Sequence, residues 1–333
     1  MKRSRLILSY IVIFLFAHVS HCMSHDPSLR IDRVVLWGCK HFSDTFAYVN
    51  FAFAKAFKHL GYEVLWLDNN DRIDHINLAH SLILGVGHVD QNIPLRDDCY
   101  YVLHNCDLTK YDSLYKANKC LVLQVYVNDI LTRDVEYIAD CVYYQPSLKT
   151  LYQPWATDLL PHEIDSIKLQ LTTKKNKESV VYWVGTIWDG LFGNRDKLSR
   201  FESACNKAGV RFEHLANIRL EQNINFMQKS FLAPAIQGQW QCEKGYIPCR
   251  IFKNISYGAL GITNSETVYN LFKRKIVYNP DTYQLFFDAF ERAKTITLEE
   301  QYELMDFVKE HHTYLNRIER IFQFLARLQQ TTH

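Results

Sequence analysis

Val34-Val35-Leu36-Trp37-Gly38, followed after a helix-length interval by Tyr62-Glu63-Val64-Leu65-Trp66-Leu67, is the stretch from which the fold can be read. Two short β-branched and aromatic runs flank a segment in which Phe46, Val49, Phe53, Phe57 and Leu60 recur at helical spacing and stop at Gly61. A strand that reaches its neighbour through a helix pairs with it in parallel, so the pattern predicts a βαβ unit in a helix-covered sheet. The Phe46, Phe53 and Phe57 face is read as core. Further strands are expected at Ser81–Val86, Tyr100–Leu103 and Leu121–Tyr126.

Moving outward, Pro154 and Pro161 bracket an irregular segment, and a polar run from Thr172 to Ser179 follows. These features mark a hinge. Beyond it the pattern restarts, with a strand at Val180–Gly185, a helix from Arg195 to Ala208 closed by Gly209, a strand at Arg211–Leu215 and a strand-like run at Phe231–Ile236. A chain of 333 residues exceeds one ordinary core and fits two units of about 150 residues. The expected fold class is therefore α/β with two Rossmann-like domains, residues 32–154 and 155–333, and a cleft between them. The tail is helical, from Leu298 to Glu310 and then along the stripe Leu315, Ile318, Ile321, Phe322, Leu325 and Leu328, which is read as core or interdomain packing.

Composition narrows the function classes. Hydrophobic content of 48% with 22% charged residues describes a globular protein, and a net charge of +2 gives no basic field for nucleic acid. Neither half holds G-x-G-x-x-G or G-x-x-x-x-G-K-[ST], which disfavours dehydrogenases and P-loop nucleotide triphosphatases. Lys2-Arg3-Ser4-Arg5 precedes an apolar run to Val19, so residues 1–22 read as a signal peptide or signal anchor; a start at Met23 would instead give a cytosolic protein. The eight cysteines after Cys22 leave disulfide pairing open, and no pair has C-x-x-C spacing.

The chemistry concentrates in Gly245-Tyr246-Ile247-Pro248-Cys249-Arg250-Ile251-Phe252-Lys253-Asn254-Ile255-Ser256-Tyr257-Gly258 and the run Ala259–Thr263 that follows. It predicts a helix opened by Pro248 and closed by Gly258, then a strand, then a new helix capped at Asn264 or Ser265. Arg250 and Lys253 lie three residues apart on one face at the positive end of that helix. They repel each other and oppose its dipole, a conflict that a bound anion would remove and that exposure to solvent or carboxylate partners would also relieve. A helix N-terminus already offers N–H groups to phosphate, and two cations would add charge-assisted bonds.

The block from Gly245 to Asn264, with Tyr278-Asn279-Pro280-Asp281-Thr282-Tyr283 after it, resembles the C-terminal nucleotide-sugar domain of GT-B glycosyltransferases, in particular the spore-maturation-type domains. Trp183-Val184-Gly185-Thr186 is similar to that domain's first glycine loop, and Gln153-Pro154-Trp155-Ala156-Thr157-Asp158 to the interdomain crossover. The resemblance implies transfer from a nucleotide sugar, which is a co-substrate rather than a cofactor, to a glycan, lipid or protein acceptor, with membrane association possible. It implies donor binding by Gly185, Thr186, Tyr246, Arg250, Lys253, Asn254 and Asn264. Lys253 stands where many members carry a ribose-binding glutamate, and the glutamate pair of many retaining members is absent. No D-x-D argues for a metal; Asp68-Asn69-Asn70-Asp71 reads as a solvated loop. His41, just after the first strand, is the expected base for the acceptor hydroxyl, with Asp44 read as a helix cap and His88, His104 and Asp129 as further candidates. Two other readings stay open: a nucleotide-sugar epimerase and a catalytically inactive nucleotide- or glycan-binding relative.

Overall fold

The computed structural model describes residues 29–41, 45–86, 90–129, 134–171, 177–216 and 218–330. The readings placed on residues 1–22, Met23, Asp44 and His88 lie outside them.

The fold is mixed α/β. In the first unit, β1 (Arg33–Trp37), β2 (Glu63–Leu67), β3 (Ser81–Val86), β4 (Tyr100–His104), β5 (Cys120–Gln124), β6 (Glu136–Ala139), β7 (Val142–Gln145) and β8 (Thr150–Tyr152) form one sheet in the order β2-β1-β3-β4-β5-β8-β7-β6. Pairing is parallel from β2 to β8 and antiparallel beyond it. Central β3 and β4 are buried at every residue, as expected of a parallel sheet covered on both faces. Helix α1 (Thr45–His59) buries Val49, Phe53 and Phe57, the core face expected from their spacing. Short α2 (Asp112–Lys116) precedes β5.

Strand β5 stops at Gln124 rather than Tyr126. The Gln124 side chain accepts the Val125 N–H, and Tyr126 forms an antiparallel bridge with Tyr246 of the second unit. The loop Asp68–Asp71 is not a solvated excursion. Asp68 is buried, the Asp71 carboxylate accepts the Asp68 N–H, and Asn69 accepts the Trp37 indole N–H.

The second unit runs through α3 (Pro161–Gln170), β9 (Val180–Val184), α4 (Arg195–Lys207), β10 (Arg211–Leu215), α5 (Leu220–Lys229), α6 (Gln239–Glu243), α7 (Cys249–Ser256), β11 (Ile262–Thr263), α8 (Glu266–Leu271), β12 (Val277–Tyr278), α9 (Thr282–Thr295) and α10 (Leu298–His311). β9 pairs in parallel with β10, and β11 with β12. The strand expected at Phe231–Ile236 is an extended link between these pairs rather than a strand. Phe231 N–H donates to Val180 O, Ser230 Oγ accepts the Tyr182 N–H, and Ala235 bridges Thr263. Pro234 lacks the N–H a regular ladder would need. The strand expected from Ala259 is likewise only Ile262–Thr263, because the Ala259 N–H closes α7 by donating to Asn254 O.

The final helix, α11 (Tyr314–Gln330), does not pack on the unit it follows. Tyr314, Ile318, Ile321, Phe324, Leu325 and Leu328 join the core of the first unit, where Phe324 stacks on Tyr144 and Tyr314 meets Phe53 edge-on. The chain thus crosses between units twice, at residues 153–160 and at 312–313, and a bridge between Thr157 and Thr313 ties the crossings together. Arg317 clamps them. It is buried, and its guanidinium donates to Pro154 O, Trp155 O, His311 O and His312 Nδ1.

All eight cysteines in the described residues are free. Cys205 is buried as a small hydrophobe, whereas Cys141 is only half-buried. No described helix is long and apolar enough to cross a membrane.

Candidate functional site

A cavity lies where the carboxyl end of β9, the residues after β10 and the N-terminus of α7 face the first turn of α1 from the other unit. Helix α7 has Pro248 as its N-cap, with its fixed φ just outside the first turn and no side-chain cap. The Cys249 and Arg250 N–H groups have no intrahelical acceptor, whereas the Ile251 N–H donates to Pro248 O at 3.3 Å, and this end of the helix opens on the cavity together with Cys249, Arg250 and Lys253.

Arg250 is held from the β9 side. Nη2 donates to Val184 O at 2.9 Å, and the guanidinium lies over the Trp183 ring at 3.7 Å. Gly185 makes this possible: a Cβ there would sit 2.3 Å from Nη2, and its φ of +128° is one that side chains rarely adopt. The glycine loop expected to admit a ligand thus first admits the arginine. His214 Nε2 bonds Gly185 O at 2.6 Å and steadies the same turn.

Lys253 is 9% exposed, and its ammonium lies 4.1 Å from the Tyr48 ring centroid. Among the described residues neither Lys253 nor Arg250 has a carboxylate partner, and the Lys253 ammonium has no hydrogen-bond acceptor. Burial lowers the pKa of both groups. The nearest buried carboxylate, Asp158, is occupied, accepting the Tyr48 hydroxyl at 3.0 Å and the Tyr257 hydroxyl at 2.5 Å. Burial, and then the charge of Asp158, hold both phenols well above their ordinary range. They stay protonated and act as donors.

The remaining expected site residues divide into two groups. Thr186 and Tyr246 line the cavity. Asn254 and Asn264 do not; they are scaffold. Asn254 Nδ2 donates to Ala233 O, and the Asn264 amide grips Gln237 by accepting its N–H and donating to its carbonyl. The expected base, His41, is not among the cavity-lining residues. Lys40 pairs with Asp71 and ties the turn after β1 to the loop after β2, leaving His41 exposed beside them. The Lys40 bond lowers the Asp71 pKa. His104 is buried core, bonded through Nδ1 to Leu123 O and packed edge-on against Trp155. Asp129 closes a short 3-10 turn.

Sequence reasoning missed Tyr48, Asn223 and Gln237, all of which line the cavity. Asn223 is 4% exposed with no partner among the described residues, and Gln237 Oε1 is buried without one. Asn254 Oδ1 is buried without a partner as well, so an unpaired amide oxygen does not by itself separate ligand contact from scaffold. One signal was present: Asn223 lies one turn before buried Met227, a polar residue on the inward face of α5. No group of three metal-ligating side chains occurs among the described residues.

No protein-family model matches the chain, and no curated protein does. Among solved structures it is similar to an α,α-trehalose-phosphate synthase (UDP-forming) from Burkholderia vietnamiensis. The identity is 12%, with 87% of this chain and 81% of that one covered at a TM-score of 0.37. A second is a trehalose-6-phosphate synthase studied with bisubstrate glycomimetics of glycosyl transfer with retention. It is 13% identical, with 86% and 80% covered and a TM-score of 0.37. Superposition at that level leaves the site to be argued from its own geometry.

Proposed function

We propose that the protein is a glycosyltransferase of GT-B type whose nucleotide-sugar donor binds in this cavity, with its diphosphate on Arg250, Lys253 and the first N–H groups of α7. One observation carries the reading: a lysine ammonium, nine-tenths buried and without an acceptor among the described residues, beside an arginine and a helix N-terminus in one cavity. A buried charge left in this state is unfavourable unless an anion completes it. Asn223, which lines the cavity along with Leu215 and Ile218, offers an amide to the edge of a planar base. Glycosyl transfer requires stabilisation of the departing diphosphate, and fixed cations with helix N–H groups supply that without reorganisation. We propose that these groups act without metal. Thr45 and Tyr48 of α1 close the cavity on the side of the first unit.

Calorimetric titration of the protein with nucleoside diphosphates, in buffer containing excess chelator, tests this reading. One diphosphate should bind, and Arg250→Ala should weaken it by about 1.5–3 kcal/mol with the fold intact. Unchanged affinity in that variant would remove α7 from the site. Turnover lost in chelator and restored by metal would refute the metal-free mechanism. Product analysis with the bound donor then separates transfer from epimerisation and from binding alone.

A further inference from the structure

The loop from Ile187 to Gly193, between β9 and α4, carries three large apolar side chains that the fold leaves uncovered: Trp188 is 63% exposed, Leu191 74% and Phe192 60%. Such a concentration on one short segment is a feature of interaction surfaces. The loop is firmly held. Asn194 accepts the Trp188 N–H at 3.0 Å through its side chain, while the backbone N–H groups of Asn194 and Arg195 both donate to Trp188 O. Gly193 closes a turn onto Gly190, and a Cβ on Gly238 would fall 1.9 Å from Gly193 O, so the two backbones touch.

Position and chemistry identify what meets this surface. Trp188 is at once exposed and part of the cavity lining, so the patch is continuous with the cavity's mouth. Phe192 packs edge-on against Trp240 at 4.9 Å, and Trp240 against Tyr126 of the first unit at 5.0 Å. A chain of ring contacts therefore runs from this loop to the first unit, beside the cavity that Trp188 lines. Between Ile187 and Gly193 the only charged side chain, Asp189, is paired with Arg195, and the Asn194 amide oxygen is taken by Trp188. With so few uncommitted polar groups the loop offers few hydrogen bonds to hydroxyls and a large apolar surface to hydrocarbon.

We propose that this rim is the acceptor subsite and that the acceptor carries an alkyl or aryl portion next to the group that enters the cavity. The inference rests on the donor assignment above, and its test is separable from it. The probes are n-octyl β-D-glucopyranoside below its micellar concentration and methyl β-D-glucopyranoside. Each is titrated against the full chain saturated with the diphosphate that binds most tightly, with tryptophan fluorescence as readout. The octyl compound should bind at least about tenfold more tightly, as expected for burial of an alkyl chain. Leu191→Ser with Phe192→Ser should abolish the difference while diphosphate affinity stays within about twofold. Equal affinity for the two glucosides, or a preference that survives the double substitution, overturns the proposal. Sedimentation with phosphatidylcholine vesicles that depends on Leu191 and Phe192, without any octyl preference, would reassign the surface to membrane docking. Failure of every diphosphate to bind would instead count against the donor site, and the octyl comparison can still be read on the unliganded protein.

Discussion

Two buried cationic centres in this protein look alike in sequence and differ in what surrounds them. Arg317 has its guanidinium spread over three backbone carbonyls and the His312 ring nitrogen. Arg250 and Lys253 keep most of their donors unpaired among the described residues and face a cavity. Arg317 and Lys253 are buried and Arg250 is half-buried, and burial lowers the pKa of each. A saturated cation is a structural clamp. An unsaturated one costs stability until a ligand arrives, and that contrast marks the candidate site.

The largest expected effect is at the saturated centre. Arg317→Met leaves the carbonyls of Pro154, Trp155 and His311 without their donor, and should cost on the order of 4 kcal/mol or more in denaturant unfolding. A loss under about 1 kcal/mol would show that water replaces the guanidinium and that the clamp is not structural. Next is Gly185→Ala. The strained φ should lower stability by about 1–3 kcal/mol, and eviction of the guanidinium should weaken diphosphate binding as much as Arg250→Ala does. Retained affinity would mean that Arg250 reaches the ligand from another position.

Lys253→Met sharpens the comparison because its two effects have opposite signs. Removing an unpaired buried charge should raise the melting temperature of the unliganded protein, by about 1 kcal/mol of stability, while weakening diphosphate binding. A variant less stable than the parent would place Lys253 with Arg317 among the structural cations.

The smallest effect is a pH dependence at the clamp. Burial, then the charges of Arg317 and Arg320 and that of His311, hold the His312 pKa well below 6.5. Its Nδ1 accepts from Arg317, and its ring stacks on Phe252 of α7. The unfolded chain takes up a proton as pH falls below 6.5 while the native protein does not, so this contribution is present above that value and is lost on acidification. From pH 6.5 to 5.5 the loss should be about 1 kcal/mol, and His312→Gln should flatten it. An unchanged slope in that variant would show that other groups set the acid limb.

Much of the first unit was legible because its signals are local. The Val34–Leu67 unit, with Val49, Phe53 and Phe57 turned inward, follows from spacing alone, and so do the limits of α7 between Pro248 and Gly258. The β6–β8 hairpin was not legible, since short edge strands carry little periodicity; nor was the break at Pro234, whose run looks like a strand until its missing N–H is counted. The residues expected to bind the donor split for a similar reason. A motif gives residue types and spacing, but an asparagine in it serves ligand or backbone according to what lies across from it, and Asn254 and Asn264 both serve backbone.

The sequence by itself determined the α/β alternation, the helical tail and the placing of Arg250 and Lys253 three residues apart on one short helix, because all three are set by neighbours within a few turns of chain. Only the tertiary structure decided that α11 returns to the first unit, that Gly185 makes room for Arg250, that Tyr48 stands over Lys253, and that His41 stays outside the cavity. These depend on contacts between residues far apart in sequence, such as Tyr48 with Asp158 and Arg317 with Pro154. Whether a buried cation is saturated is a property of the three-dimensional neighbourhood that desolvates it, and no residue pattern along the chain encodes that neighbourhood locally.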